Sequence, residues 1–145
     1  MCIRDRLILD RMATSTPPYR TQCVATPEQV AASRARVNAV YIDAAIRKYI
    51  VQIIHTTRFP GLVDASLKHL VRAGASPRGT INLALTARAL AFMHGRAFVT
   101  PQDVKDMALD VLRHRILLTY EAEAEEITAD QLVAEVIRKT PVPTA

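Results

Sequence analysis

Tryptophan is absent from the 145 residues, and glycine (four) and cysteine (two) are scarce. Each shortage excludes something. Cys2 and Cys23 form no Cys-x-x-Cys pair and have no His pair nearby, so they read as unpaired thiols of a reducing compartment, and a cytoplasmic protein is expected. Gly61, Gly74, Gly79 and Gly95 include none that precedes Lys-Ser or Lys-Thr, so the phosphate-cradling loop GxxxxGK(S/T) is missing. No apolar strand ending in paired acids is present to hold Mg²⁺. The longest apolar run, residues 89–93, is far below the roughly 20 residues of a membrane span. Residues 1–12 mix charged with apolar side chains and lack the apolar stretch of a secretory signal. His55, His69, His94 and His114 have no partner four residues on, so no metal site is assigned.

What is present is ordinary for a globular chain: half the residues are apolar and 23% are charged. The length suits one domain, which can bury roughly two thirds of its unfolded surface without disulfides. The net charge of +5 comes from scattered rather than massed basic residues, and charge alone gives nucleic-acid binding little support.

Helical period dominates from residue 26 onward. Thr26-Pro27-Glu28-Gln29 has a capping hydroxyl, Pro at the first helical position and an amide at the third, which predicts a helix to about Asn38. Val40-Tyr41-Ile42 favours an extended linker. Asp43 then caps a helix whose Ile46, Tyr49, Ile50, Ile53 and Ile54 form one apolar stripe, ending before Pro60-Gly61. A shorter helix is expected over residues 63–72, with Leu67, Leu70 and Val71 inward. Ser76-Pro77 opens the longest helix, through Ile81, Leu85, Leu90 and Phe92 to about His94, with Gly95 just past its end. Its apolar residues occupy more than one face, so it should be the central and most buried helix. Thr100-Pro101-Gln102-Asp103 opens the next, with Val104, Met107, Ala108, Val111 and Leu112 inward. Residues 116–120 could be extended. Thr128-Ala129-Asp130-Gln131 caps a last helix with Leu132, Val133, Val136 and Ile137. The expected fold is all-α, a small bundle of about five to six helices with at most one short strand, and residues 14–22 read as a loop.

Three of the four capped starts put an acid or amide in the first turn, as the helix dipole favours. The fourth, Ser76-Pro77-Arg78-Gly79, puts a cation there and a glycine that costs roughly 1 kcal/mol of helix propensity. Open amides, a guanidinium and no blocking side chain would make an anion site, and a phosphate would relieve the misfit. The plain alternative pairs Arg78 with Asp64, Asp103 or water.

Taken together, Thr57-Arg58, Gly74-Ala75-Ser76-Pro77-Arg78, Ala87-Arg88-Ala89, the run Gly95-Arg96-Ala97-Phe98-Val99-Thr100-Pro101-Gln102-Asp103-Val104-Lys105, Val111-Leu112-Arg113-His114-Arg115 and Pro141-Val142-Pro143 resemble the C-terminal lid of a MoxR-type AAA+ ATPase. The resemblance covers residues 24–143. It implies a helical lid that closes over nucleotide held by an α/β core, in a chaperone-like, homo-hexameric parent that binds ATP and Mg²⁺ and acts on a client protein. It assigns Arg78 as the nucleotide-contacting sensor residue. With no phosphate loop or metal-binding strand, this chain should hold neither ATP nor Mg²⁺ alone and should not hydrolyse ATP by itself. Residues 1–23 are expected to combine foreign sequence (1–6), a remnant of the core's last helix (7–11) and the loop.

Other residues have local readings. Arg58 suits the end of its helix. Arg88 and Arg96 are expected to pair with acids such as Asp103 or Asp106. Arg113-His114-Arg115 serves a helix C-terminus. Glu121, Glu123, Glu125 and Glu126 form a solvated edge, and part of the isoleucine stripe could abut an adenine ring. Two rival functions stand beside the lid: a helical DNA-binding or adaptor module, and a structural interaction domain with Arg78 in an internal salt bridge.

Overall fold

The computed structural model describes residues 3–13 and 21–143. Cys2 lies outside them, as do most of the loop expected at 14–22 and the first two of the six residues read as foreign. The chain divides into two units, Met1–Ala32 and Ser33–Ala145.

The first unit contains α1 (Ile3–Met12), which presents Leu7, Ile8 and Leu9 to solvent. It also contains the start of α2 (Pro27–Ala39). The expected capping box is formed there. Gln29 N donates to Thr26 Oγ1 at 3.3 Å and Thr26 N donates to Gln29 Oε1 at 2.9 Å.

In the second unit, α3 (Ala44–Arg58), α4 (Pro77–Met93), α5 (Pro101–Leu112) and α7 (Ala129–Lys139) enclose one apolar core. Asp43 caps α3 by accepting from Ala45 N at 2.7 Å. All five members of the α3 stripe are buried. Each contributes roughly 2 kcal/mol by leaving water. Tyr49 Oη, buried among them, is the only buried side-chain polar atom among the described residues without a partner. Val40 and Ile42 point inward while Tyr41 points out. Between them Tyr41 bridges Phe98 in parallel, its N–H donating to Ala97 O and its C=O accepting from Val99 N.

The helix expected at 63–72 does not form. Pro60–Leu62 and Ala65–Leu67 are 3₁₀ turns, and β1 (Val71–Ala73) follows. Asp64 is the cause, because its carboxylate accepts from Ser66 N and Ser66 Oγ and opens a fresh turn. Leu67 and Leu70 still reach the core, since i and i+3 eclipse in a three-residue turn. β1 pairs antiparallel with β2 (Leu117–Leu118), matching Val71 with Leu118 and Ala73 with Leu117. The fold is thus the mostly helical bundle expected, with two short strands among the described residues where one was thought possible.

A short helix, α6 (Tyr120–Ala124), occupies the expected acidic edge, with Thr119 as its cap and Ala122 buried. α4 and α6 end alike. Past α4, Arg96 N donates to Ala91 O and Gly95 N to Phe92 O; past α6, Ile127 N donates to Ala122 O and Glu126 N to Glu123 O. Both endings need a left-handed residue, Gly95 at φ 70° and Glu126 at φ 56°. Only the first is a glycine. We therefore expect Glu126→Gly to raise stability by about 0.5–1 kcal/mol, read from urea denaturation of the two chains. A loss of stability would show that the glutamate makes a compensating contact.

Candidate functional site

The segment Gly74-Ala75-Ser76-Pro77-Arg78-Gly79 joins β1 to α4 and lies across the last turn of α3. Its two glycines serve packing. A Cβ on Gly74 would stand 2.4 Å from Thr57 O, so only glycine lets the chain pass this close to the α3 backbone. Gly79 is buried, and a Cβ there would meet Ile54 Cδ1 at 3.1 Å. The expectation that Gly79 clears space for an anion is corrected: it faces the core and lets α4 pack closely on α3.

Ser76 is the N-cap of α4, but its side chain makes no capping hydrogen bond, contrary to the sequence reading. The other three starts are capped as expected. Thr100 and Thr128 form full capping boxes with Asp103 and Gln131, and Thr26 does so with Gln29. The loop before α4 is held instead from α3. Thr57 Oγ1, which donates to Ile54 O, accepts from Ala75 N at 3.1 Å, and Arg58 Nε donates to Ala75 O at 2.7 Å. Arg58 therefore bridges to the neighbouring loop rather than capping its own helix.

Arg78 is exposed, at the second position of α4. The two acids that the plain alternative offered it are engaged elsewhere. Asp64 pairs with Lys139. Asp103 accepts from Arg96 Nη1 at 2.6 Å and Nη2 at 2.5 Å. Among the described residues, no carboxylate pairs with Arg78. Ile81 and Leu85, three and seven positions on, share its face of the helix and are also exposed, at 58% and 45%. α4 buries Gly79, Leu83, Ala87 and Ala91, and Ala84 and Phe92 pack partly against the same core, while the side that carries Arg78, Ile81 and Leu85 is left to solvent. The α3 stripe is wholly used in the core, which leaves none of it to abut an adenine ring.

The neighbouring motif is structural. Asp103 is 2% exposed. Its carboxyl is held at about 2, below the ordinary 3.8, chiefly by the Arg96 guanidinium and further by the N–H and hydroxyl of Thr100, against the opposing effect of burial. Because the folded value is depressed, this stabilisation is complete above pH 4 and disappears as pH falls towards 2. It amounts to about 2 kcal/mol. Asp103→Asn should therefore destabilise the chain at neutral pH, by a margin that shrinks by about 2 kcal/mol between pH 4 and 2, measured by urea denaturation at each pH. A margin independent of pH would contradict the assignment.

Arg88, Arg113 and Arg115 are tied locally. Arg88 Nε donates to Val40 O at 3.1 Å, not to an acid as expected. Arg113 and Arg115 donate to Leu109 O and Val111 O at the end of α5, and Arg113 also meets Asp110 and Asp130. Sequence reasoning missed Thr57 as an anchor of the loop; a buried threonine in the last turn of an isoleucine-rich helix looks like filler, and only the partner loop reveals it.

Comparison with known proteins places this arrangement. Residues 65–136 match the AAA lid domain family. The chain is 36% identical over 142 residues to the chaperone MoxR1 of Mycobacterium tuberculosis, covering 96% of this chain and 37% of that protein. It is 34% identical over 115 residues to protein MoxR of Paracoccus denitrificans, covering 74% of this chain and 34% of that one. A crystal structure of a candidate ATPase from Cytophaga hutchinsonii superposes with a TM-score of 0.89 at 34% identity, over 99% of this chain and 44% of the other. The chain thus spans well under half the length of the relatives it matches, and it is the lid region of a MoxR-type AAA+ protein.

Proposed function

We propose that this chain is the closing element of an ATPase, with Arg78 as its contact to the terminal phosphates of bound ATP. The observation that carries this reading is an exposed guanidinium, paired with no carboxylate among the described residues, at a helix start without a side-chain cap. These are the groups a phosphate oxygen requires, so the donor set fits the nucleotide. ATP with Mg²⁺, when bound by a core domain of the same parent chain, supplies the concentrated negative charge to which Arg78 responds. Arg78 orients and partly neutralises that charge, and α4 moves as a rigid unit with it because Leu83, Ala87 and Ala91 fix it in the core. Ile81 and Leu85 continue the face into an apolar surface suited to cover by the core domain. The parent in this reading is a cytoplasmic homo-hexamer acting on a client protein, a role in keeping with one relative's name, chaperone MoxR1.

The differential contact favours the closed arrangement by a few kcal/mol at most, on the order of one charge-assisted pair. The reading is tested by kcat of the full-length protein with Arg78 replaced, and by the isolated 145-residue chain, which should show no ATP hydrolysis. Turnover by the isolated chain would overturn it. The DNA-binding alternative rests on exposed cations such as Arg34, Arg36 and Arg72 alone, and Arg96, Arg113, Arg138 and Lys139 are engaged with carboxylates.

A further inference from the structure

We infer that Arg58 is a positioning residue for Arg78, an inference that rests on the functional reading above. The start of α4 lacks the side-chain cap that α2, α3, α5, α6 and α7 have. What holds the residue before it is a two-point clamp from the last turn of α3. Thr57 Oγ1 accepts from the N–H of Ala75, and Arg58 Nε donates to its C=O at 2.7 Å. Ala75 itself is fully buried, and Gly74 lies against Thr57 O, so this peptide is fixed from three sides. Arg78 is three residues further on, within the first turn, where an uncapped helix frays most readily. The clamp leaves the open amides of the first turn unsatisfied, but by fixing the Ala75 peptide it sets the position from which the Arg78 guanidinium reaches out. A misplacement of about 1 Å at a charge-stabilising group can cost on the order of a hundredfold in rate.

The two halves of the clamp differ in kind. Thr57 is buried and cannot change without disturbing the core. Arg58 is exposed and gives one hydrogen bond to a loop carbonyl. Removing Arg58 should loosen the first turn of α4 while leaving the bundle folded.

The test is a double-mutant cycle on kcat for MgATP in the full-length protein: wild type, Arg58→Ala, Arg78→Ala and both together. The clamp predicts a roughly tenfold loss for Arg58→Ala in the wild-type background and less than a twofold further loss in the Arg78→Ala background, because a misplaced side chain cannot matter once it is gone. Equal losses in both backgrounds, or no loss in either, would overturn the inference while leaving the role of Arg78 intact. No effect of Arg78→Ala itself would instead remove the functional reading beneath it. Amide hydrogen exchange on the 145-residue chain gives a readout independent of turnover. In Arg58→Ala, exchange should quicken at residues 78–80 and not in the rest of α4. Acceleration along the whole helix would mean general destabilisation and contradict a local clamp.

Discussion

If Arg78 contacts bound ATP as proposed, Arg78→Ala in the full-length protein should lower kcat for MgATP about a hundredfold and leave the thermal unfolding of the lid unchanged. The size follows from the role. A donor aimed at charge that grows in the transition state is worth roughly 10²–10³ in rate when removed. The unchanged stability follows from the geometry. Arg78 is exposed and forms no ion pair with Asp64 or Asp103, which serve Lys139 and Arg96. Its removal should even relieve a slight dipole misfit at the helix start, worth a few tenths of a kcal/mol. A structural arginine would behave in the opposite way, losing stability first and activity in proportion. Arg78→Lys should recover only part of the loss, because an ammonium cannot present the paired N–H groups that bind two phosphate oxygens at once.

The second large effect is on folding. Gly74→Ala should destabilise the chain by about 3 kcal/mol, a fall in Tm on the order of 10 °C for a domain of this size. The added Cβ would lie 2.4 Å from Thr57 O and 2.6 Å from Arg58 Cα, both backbone atoms that cannot yield without moving α3. Gly61→Ala is the control. There the nearest atoms belong to the flexible side chain of Lys68, at 3.2 Å or more, and the change should be small. Circular dichroism melts of the three chains decide the matter, and similar Tm values for both variants would show that the α3 contact is softer than it looks. Because Gly74 adjoins the clamped residue Ala75, its substitution should also displace the start of α4.

Which parts of this were legible in the sequence follows from how local the determining interactions are. The caps at Thr26, Asp43, Thr100 and Thr128 act over three residues, and all four formed. The α3 stripe has a clean helical period and is buried throughout. The region around residues 60–73 was misread because its leucines sit three apart, a spacing that α-helix and 3₁₀ turns share; Asp64 and the pairing of Val71 with Leu118 decide between them, and the second is long-range. α6 escaped notice because five residues are too few to show a period. α4 illustrates the opposite difficulty. Its apolar residues on more than one face suggested the central, most buried helix, yet Ile81 and Leu85 are exposed, and periodicity alone does not tell which apolar positions the rest of the bundle covers.

The candidate site was legible as an anomaly before it had any geometry, since a cation in a first helical turn needs a reason. The clamp was not legible. Arg58 and Thr57 are separated from Ala75 by 17 and 18 residues, and nothing local announces that bond. The run from Gly95 to Lys105, which helped to carry the resemblance, proves to be an ion-pair and capping device built on Arg96, Thr100 and Asp103.

The most direct test is a structure of the full-length protein with Mg²⁺ and a non-hydrolysable ATP analogue. The account predicts the Arg78 guanidinium within about 3 Å of a γ-phosphate oxygen, with Arg58 still bonded to Ala75 O. Arg78 directed into solvent or joined to a carboxylate, with the nucleotide fully enclosed, would contradict it.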